Sequence, residues 1–375
     1  MNIAFYAPLK PVDHPVPSGD RQLARALLRA IAAGGHDVVV ASRLRRYDAQ
    51  GDAVRQARIA RIGAQCVQRL LARWRADRAR PELWFTYHLH HKAPDWLGPA
   101  VSRALDIPYV VAEASIAPRQ RDGAWAQGYA ASVAGIEAAD AVVFVNPRDV
   151  PAVQRARGVR TADVLLAPFI DLAAFTGTAT PAAAASPRRA GRVRLACVAM
   201  MREGAKLASY RVLAHALATL DALDWDLVVV GDGPARAAVE AAFEGFARDR
   251  IHFAGARDAA GVAATLRGAE VFVWPAVDEA FGMAFIEAQA CGLPVVAGDA
   301  GGVAAVIDDG RSGLLVAPGD ARALAAAVRR LVTDDGLRTA MAARAPAYVR
   351  ARHDLPVAAR QLDSTLRRVV AARLR

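Results

Sequence analysis

The sequence predicts an α/β fold made of two doubly wound parallel-sheet domains, and three observations predict this class. The chain has 375 residues, more than a single hydrophobic core usually serves. Short apolar runs alternate with helical stretches in both halves, as they do when buried parallel strands are joined by crossover helices. Between the halves, residues 177–191 read GTATPAAAASPRRAG, a composition typical of a linker.

The first half of the chain, residues 1–176, carries the strand pattern of one Rossmann-like domain. Its apolar runs are NIAFYAP, HDVVVAS, LWFTYH, PYVVAEA and AVVFVN. Stretches rich in Ala, Leu and Arg with helical spacing lie between several of them. We therefore expect a parallel sheet with helices on its faces.

The second half repeats the pattern over residues 192–345. Its apolar runs are RLACVAM, DLVVVGD, IHFAG, VFVWP, PVVAG and GLLVAP. A helical, Arg-rich tail follows over residues 346–375, and Pro346 and Pro356 predict breaks that bend it. Packing of this tail on the first domain is an open alternative.

Composition excludes several protein classes. The cysteines, Cys66, Cys197 and Cys291, are far apart and form no C-x-x-C pair, which favours a reducing compartment. The opening MNIAFYAPLK has no basic region before an apolar core, so it predicts a first strand and no signal peptide. No run of about 18 apolar residues predicts a spanning helix. We therefore expect a cytoplasmic protein.

Positive charge is concentrated in one segment. The whole chain has a formal net charge of +11, and residues Arg43 to Arg80 contain eleven arginines and three aspartates, a local charge of 11 − 3 = +8. Apolar residues recur there at helical intervals, and we favour an ordinary packed helix with a solvated Arg face. The alternative is a basic amphipathic helix that lies on an anionic inner membrane surface. Nucleic-acid binding is not expected, because no aromatic residues interleave the basic ones.

The strongest candidate site lies in the second half, around DEAFGMAFIEAQACG. The run VFVWPAV predicts a strand, so Glu279 falls in the loop at its carboxyl end, and a helix follows Gly282. Ligands of open parallel sheets bind at this edge, and two such domains predict an interdomain cleft. The free N–H groups at the start of the helix favour an anion, and Glu279 and Glu287 suit sugar hydroxyls.

A second loop at the same sheet edge supplies cations. The stretch MMREGAK follows the first strand of the second half and contains Arg202 and Lys206, which suit a diphosphate leaving group. The sequence GDGPAR begins at Gly231 and is only half of a dinucleotide fingerprint. Gly231 and Gly233 predict a tight turn after a strand, where Gly233 allows the backbone to approach a ligand.

Strand ends of the first half offer further polar residues. In TYHLHHKAPDW, His88 follows a strand directly, and alternation places His90 on the same side, where both face an acceptor or a transferred sugar. Glu113, at the end of PYVVAEAS, reaches an acceptor hydroxyl from the next strand. Histidines satisfied by the backbone are an equal alternative. A metal site at the histidines is disfavoured, because no further ligand is evident nearby. A metal site at Asp224-Trp225-Asp226 is disfavoured as well, because the triplet precedes a strand and therefore lies at the sheet edge opposite to the ligand-binding one.

Several motifs together resemble a known family, the retaining GT-B glycosyltransferases of family 4 (glycosyl transferases group 1). The stretch E-A-F-G-M-x-x-x-E-A-x-A-C-G-x-P-V-V at 279–296 is similar to its E-x7-E region. The resemblance extends to R-x-x-x-K at 202–206, VVVGDGP at 228–234 and AGG…I-D-D-G-x-S-G-L-L-V at 300–316. The first half is similar only in rhythm, with S-G-D at 18–20 and GGHDVVV at 34–40.

The resemblance implies a GT-B fold, whose second domain holds a nucleotide diphosphate sugar of UDP or GDP type and whose first domain holds the acceptor. It implies that Arg202 and Lys206 grip the diphosphate, that Glu287 binds the ribose and that Glu279 lies beside the transferred sugar. The backbone from Phe281 through Gly282 and Met283 to Ala284 then lies near the donor. The implied mechanism retains the anomeric configuration and needs no metal or other cofactor.

The chain departs from the family pattern in the first loop and in the Arg-to-Lys spacing, which is tighter than usual. In place of a Gly-Gly pair the first loop has Ser18-Gly19-Asp20. We expect Gly19 still to let the loop approach the diphosphate and Asp20 to face the acceptor.

The resemblance thus predicts a hexosyltransferase that extends a glycan or lipid-linked glycan, as in polysaccharide or lipopolysaccharide synthesis, in the cytoplasm or at the inner face of the membrane. A sugar-nucleotide epimerase or hydrolase of the same fold is the alternative, as is a non-catalytic scaffold that binds nucleotide sugar or glycan. A phosphorylase is disfavoured, because it needs a cofactor lysine and the chain has only Lys10, Lys92 and Lys206.

Overall fold

The computed structural model describes residues 1–16, 18–45, 47–76, 80–157, 161–176 and 191–373. Within it the chain forms two compact units. Unit 1 comprises Met1–Leu166 and Leu355–Arg375, and unit 2 comprises Ala167–Asp354. Almost all of the predicted linker, residues 177–190, lies outside the described residues. The domain limits expected at residues 176 and 345 stay a prediction.

Unit 1 is built on a six-stranded sheet in the order β2-β1-β3-β4-β5-β6, and every neighbouring pair is parallel. Its central strands are buried on both faces, which explains their continuous apolar runs. The strands are β1 (Asn2–Tyr6), β2 (Asp37–Ser42), β3 (Leu83–Leu89), β4 (Tyr109–Ala114), β5 (Ala141–Phe144) and β6 (Ala162–Leu165).

Helices connect these strands, and a last helix returns to the same unit. They are α1 (Gly19–Ala33), α2 (Ala53–Ala76), α3 (Gly98–Leu105), α4 (Ala126–Ala138), α5 (Val150–Gln154) and α13 (Leu355–Arg373). Helix α13 is fixed by specific contacts: His36 Nε2 lies 3.0 Å from Asp363 Oδ1, and Gln361 Nε2 donates to the Leu165 carbonyl at 2.7 Å. Its apolar residues, among them Leu362 and Leu366, are buried.

Unit 2 has a second six-stranded parallel sheet, in the order β12-β11-β10-β7-β8-β9. Its strands are β7 (Val193–Val198), β8 (Trp225–Val230), β9 (Ile251–Gly255), β10 (Val271–Trp274), β11 (Val295–Gly298) and β12 (Gly313–Val316). Its helices are α6 (Ala173–Thr176), α7 (Ala205–Ala218), α8 (Arg236–Ala242), α9 (Ala259–Arg267), α10 (Met283–Ala290), α11 (Ala321–Thr333) and α12 (Asp335–Arg352).

The α/β class with two doubly wound sheets is confirmed, and each predicted apolar run contains a strand. Strand β6 was not predicted. Three of its four residues are exposed, so it lacks the buried apolar run by which the other strands were found.

The break predicted at Pro346 is wrong, because α12 continues through that residue. Met341, Ala345 and Val349 of α12 are buried, and this packing outweighs the backbone hydrogen bond that proline removes. Pro356 is the second residue of α13, where a missing N–H costs nothing. Among the described residues, no helix is both long enough and apolar enough to cross a membrane.

Candidate functional site

Glu279 lies in a tightly constrained loop between β10 and α10. Ala276 and Asp278 both have φ = 54°, in the left-handed region that non-glycine residues rarely adopt. Gly282, which caps the N-terminus of α10, has φ = 69°. The Val277 N–H donates to the Ser209 hydroxyl at 3.0 Å and fixes the loop against α7. Such strain is found where the surrounding structure holds a functional residue in place.

Gly301 and Gly302 support the loop from its other side. A Cβ on Gly301, which has φ = 62°, would lie 1.8 Å from the Glu279 carbonyl oxygen. The Gly302 N–H donates to the Ala280 carbonyl at 2.7 Å. The AGG motif therefore has a packing role, because side chains at these two positions would displace the loop that carries Glu279.

The Glu279 carboxylate forms an ion pair and a hydrogen bond within unit 2. Its Oε2 atom accepts from the Lys206 ammonium and from the Trp274 indole N–H, the latter at 3.1 Å. Lys206 also lies over the Trp274 ring, with Nζ 5.3 Å from the ring centroid. The structure thus brings together two residues predicted from sequence and adds Trp274, whose place in an apolar strand had indicated only a core role.

Arg202 lies just before α7, on the loop that also carries Gly204 at φ = 77°. Its side chain is exposed, and among the described residues it has no carboxylate partner. Its charge is therefore available to an anion, whereas that of Lys206 is already shared with Glu279.

Glu287 is half-buried in α10, one helical turn and a half beyond its start. Burial raises the pKa of this carboxyl to about 7. Within the described parts of the chain the carboxylate accepts no hydrogen bond and forms no ion pair. A carboxylate without donors in a poorly solvated position gains from ligand hydroxyls, so this geometry suits the predicted ribose contact.

The start of α10 presents backbone more than side chains. Phe281 is buried, and a Cβ on Gly282 would lie 2.4 Å from the Phe285 ring. Met283 and Ala284 are the first residues of the helix and are half-buried. The first N–H groups of a helix have no intrahelical acceptor, so they remain available to an anion.

Gly231 and Gly233 have a packing role that sequence reasoning did not identify. Their φ angles are 151° and 153°, and a Cβ would lie 1.9 Å from the Ala199 carbonyl oxygen at the first and 2.2 Å from that of Met201 at the second. These glycines let the loop after β8 lie directly on the loop after β7. The donor contact expected at Gly233 stays a prediction.

In unit 1, Asp20 and His88 lie together at the carboxyl edge of the sheet. Ser18 caps α1 by accepting from the Arg21 N–H at 3.2 Å, and Asp20 lies in the first turn. His88 Nδ1 is 3.1 Å from Asp20 Oδ1. Gly19 begins the helix, and a Cβ there would meet no atom within 4 Å, so its predicted donor contact is not tested by packing.

Two further carboxyls act on His88. Burial alone would lower its pKa, but the close contact with the Asp20 carboxylate and the charges of Glu113 and Asp149 raise it. Glu113 has φ = 57°, and its buried Oε1 has no hydrogen-bond partner among the residues that the structure describes. Burial raises its pKa. Asp149, which no sequence motif indicated, has its pKa raised by burial as well.

His90 lies close to His88, with ring centroids 5.1 Å apart. Because His88 has φ = 62°, the strand is irregular there, and the shared side expected from alternation stays a prediction. Burial and the neighbouring charges of His88 and His91 lower its pKa to about 3, so it is neutral at physiological pH. Its Nδ1 accepts from the Lys92 N–H at 3.2 Å. Because Nδ1 accepts this hydrogen bond, the proton of the neutral ring lies on Nε2, which can donate a hydrogen bond to a sugar hydroxyl.

The Asp224-Trp225-Asp226 triplet has a structural role. Asp226 is buried, and its two oxygens lie 2.7 and 3.0 Å from Nε and Nη2 of Arg194. Among the described residues, no cluster of His, Cys, Asp and Glu has the arrangement of a metal site.

Helix α2 contains most of the basic segment predicted from sequence. Val67, Leu70, Leu71 and Trp74 are buried in unit 1, so the apolar side of the helix is occupied by the protein core. The opposite side exposes a row of arginines that have no carboxylate partner among the described residues and no acidic neighbour within the helix: Arg55, Arg58, Arg61, Arg69, Arg73 and Arg75.

Part of unit 2 is similar to a known protein family. Residues 192–334 match the family model described as Glycosyl transferases group 1. A stretch of 115 residues is 42% identical to the phosphatidyl-myo-inositol mannosyltransferase of Mycobacterium leprae, covering 30% of this chain and 30% of that protein. The chain thus matches under a third of the length of this relative. The predicted resemblance to this family is confirmed.

Solved structures resemble the whole chain. Sucrose-phosphate synthase from Thermosynechococcus elongatus matches with a TM-score of 0.73 and 21% identity over 99% of each chain. Anabaena HepE, solved in complex with UDP and glucose, matches with a TM-score of 0.66 and 17% identity over 97% of this chain and 98% of that one. These likenesses concern the fold, and with the two parallel sheets they confirm the predicted GT-B type.

Proposed function

We propose that this glycosyltransferase moves a hexose from a nucleotide diphosphate sugar to a glycan or lipid-linked glycan, with retention of the anomeric configuration. The observation that carries the proposal is a group of charged residues in unit 2, all within the segment that matches the family. Lys206 and Glu279 form an ion pair, and Arg202 and Glu287 have no ion-pair partner in the part of the chain that the structure describes. The comparisons support sugar transfer in general. The retaining course and the acceptor class are our inference.

The donor would be held by unit 2. Arg202 and the remaining N–H groups of Lys206 would bind the diphosphate, and the N-terminus of α10 would add its free N–H groups. Glu287 would accept hydrogen bonds from the two ribose hydroxyls, and Glu279 would lie beside the sugar. A uridine nucleotide is our first choice because HepE, of similar fold, was solved with UDP.

In the transfer step, the bond between the anomeric carbon and the diphosphate oxygen breaks, and the nucleoside diphosphate leaves with the electron pair. The acceptor hydroxyl forms the new bond to that carbon and transfers its proton to the departing diphosphate oxygen. Negative charge grows on the diphosphate as the bond breaks, and the cations of Arg202 and Lys206 would stabilise it. These two cations and the helix N-terminus supply the positive charge that a divalent metal provides elsewhere, so we propose transfer without a metal.

The acceptor would be bound by unit 1. His88, held by Asp20, and the neutral His90 and Glu113 offer hydrogen-bond donors and acceptors for sugar hydroxyls at one sheet edge. Their roles are proposed from this shared position and chemistry. An epimerase or hydrolase of this fold would use the same donor residues and would differ in releasing nucleotide without an acceptor.

A lipid-linked acceptor would fit the exposed arginine row of α2. The helix has 24 residues, about 36 Å in length, and places its cations on one side. Because its apolar side is buried, binding to the inner face of a membrane would be electrostatic and would not involve insertion of that side into the bilayer. Each basic residue near an anionic surface contributes about 1 kcal/mol.

Calorimetric titration with UDP, GDP and ADP, without added metal, tests the donor site. We expect one nucleotide to bind, and Arg202→Ala and Glu287→Gln each to weaken it about 10- to 100-fold, since each loses hydrogen bonds to a charged group. Arg344→Ala, an exposed arginine of α12, is the control and should bind as the wild type does. If none of the three nucleotides binds, or if Arg202→Ala and Arg344→Ala bind alike, the donor site is wrong.

Flotation with vesicles tests the membrane surface. The wild type should float with vesicles that contain phosphatidylserine and stay behind with neutral ones. Reversing Arg58, Arg61 and Arg69 to Glu should abolish flotation, whereas the same reversal at the exposed Arg330, Arg344 and Arg350 of unit 2 keeps the net charge equal and should not. Equal losses in both triple variants would mean that total charge, and not α2, governs binding.

A further inference from the structure

Trp274 ends β10 at the point where the Glu279 loop begins, and it is almost fully enclosed, with 3% of its surface exposed. Its ring meets the Tyr210 ring edge-on at a centroid distance of 5.0 Å. The Tyr210 hydroxyl in turn donates to the Ala199 carbonyl at 2.7 Å. Aromatic packing therefore helps to hold the indole in place.

The indole also contacts both charged residues of the ion pair. Its Nε1–H donates to Glu279 Oε2 at 3.1 Å, and its face lies under the Lys206 ammonium. A cation over an indole face is attracted to it, and a hydrogen bond to a carboxylate is stronger than one to a neutral acceptor. One side chain thus orients an anion and a cation at once.

The distribution of these contacts over the carboxylate is uneven. Both the Lys206 ammonium and the Trp274 N–H reach Oε2. Oε1 of Glu279 accepts no hydrogen bond from the described residues. The two contacts on Oε2 fix the orientation of the carboxylate, so a ligand would meet Oε1 in a set direction.

We propose that Trp274 is a positioning residue for the transfer reaction, which holds Glu279 and Lys206 so that Glu279 Oε1 faces the sugar of the donor. This inference rests on the proposed function. It assigns the sugar contact to Oε1 and leaves the nucleotide to Arg202, Lys206 and Glu287. Phe at position 274 would keep an aromatic ring under the Lys206 ammonium and would remove only the N–H that reaches Glu279. Loss of the indole N–H should therefore disturb the sugar end of the donor and spare the nucleotide end.

The chain offers a matched control in Trp225. It is buried in the same unit, its Nε1–H donates to the Leu220 carbonyl at 2.8 Å, and Arg250 lies over its ring at 5.0 Å. Trp→Phe at either position removes one indole hydrogen bond and keeps an aromatic ring. The two positions differ in that Trp274 contacts Glu279, whereas Trp225 contacts a backbone carbonyl.

The experiment compares Trp274→Phe, Trp225→Phe and the wild type. For each, calorimetry measures the Kd of the nucleotide that the wild type binds. Slow release of that nucleotide from its glucose conjugate, with water in place of the glycan acceptor, measures turnover of the bond between the sugar and the diphosphate. Trp274→Phe should lower turnover about tenfold, since a hydrogen bond to a charged group is lost, and should change the nucleotide Kd less than twofold. Trp225→Phe should change neither.

Combining Trp274→Phe with Glu279→Ala distinguishes positioning from a general packing defect. If Trp274 acts through Glu279, the double variant should turn over at the rate of Glu279→Ala alone, because the carboxylate that the indole orients is gone. Additive losses, equal losses in Trp225→Phe, or unchanged turnover in Trp274→Phe would overturn the inference while leaving the donor site intact. A wild type that binds no nucleotide would refute the proposed function, and this inference with it.

Discussion

Replacing Glu287 with Gln should stabilise the protein in a way that depends on pH. The substitution keeps the shape of the side chain and removes its ionisation. Burial raises the pKa of Glu287 from an ordinary 4.5 to about 7. Between these values the unfolded chain has lost the proton that the folded chain still holds, so the free energy of unfolding falls as the pH rises toward 7.

The size of the effect follows from the two pKa values. A difference of one in pKa corresponds to about 1.4 kcal/mol, so ionised Glu287 costs the folded state up to about 3 kcal/mol above pH 7. The side chain is half-buried, so water reduces this figure. Gln carries no charge at any pH and escapes the penalty. The variant should therefore gain about 2 kcal/mol more at pH 8 than at pH 5.

Urea unfolding followed by tryptophan fluorescence at pH 5 and pH 8 measures this difference, since Trp225 and Trp274 both lie in unit 2. Glu244→Gln, at an exposed position of the same unit, is the control and should show no such pH dependence. The reasoning is refuted if Glu287→Gln gains equally at both pH values or loses stability at pH 8. The same variant should bind nucleotide more weakly, because it lacks the carboxylate proposed to bind the ribose. The charge that destabilises the fold would thus be the one that the ligand needs.

Two other perturbations have clear expected outcomes. Gly301→Ala should lower the free energy of unfolding of unit 2 and weaken nucleotide binding, because its Cβ would lie 1.8 Å from the Glu279 carbonyl oxygen. Gly310→Ala, at φ = 72° with open space around it, introduces backbone strain alone and should lose less unfolding free energy in the same urea titration. Asp20→Asn should lower the pKa of His88. Burial of the ring lowers this pKa, and the neighbouring Asp20 carboxylate, which the variant lacks, counteracts that effect in the wild type. A histidine whose pKa is higher in the folded than in the unfolded state stabilises the fold at pH values below its unfolded-state pKa. This contribution is lost as the pH rises through its folded-state pKa, so the variant should lose more stability at pH 5 than at pH 9. NMR titration of the His88 ring protons gives the midpoint, and an unmoved midpoint would contradict the pairing.

The sequence predicted the strands and strand-end residues because both leave local patterns. A buried parallel strand is a continuous apolar run, and the residue after it lies at the sheet edge. Glu279 and Lys206 were proposed because they follow the runs that form β10 and β7, and His88 and Glu113 because they end the runs that form β3 and β4. Strand β6 was missed because its residues are mostly exposed.

Other features depend on contacts between distant segments and leave no local pattern. Trp274 reads as one more apolar residue of a strand, and only the fold brings its N–H to Glu279. The role of Gly233 follows from the loop that lies against it and not from its neighbours in sequence. Pro346 indicates a helix break locally, yet the burial of Met341 and Val349 keeps the helix intact. Helix α2 has the sequence of a surface-seeking amphipathic helix, but unit 1 covers its apolar side.

The return of α13 to unit 1 has a consequence for synthesis on the ribosome. All residues of unit 2 emerge before α13 does, whereas the residues of unit 1 that α13 covers have been exposed since the first part of the chain was made. Gly34 lies against α13, where its Cβ would be 3.2 Å from that of Asp363. Unit 2 can therefore complete its core during translation, while unit 1 must wait, with an uncovered apolar strip beside α1, for nearly the last residues of the described chain.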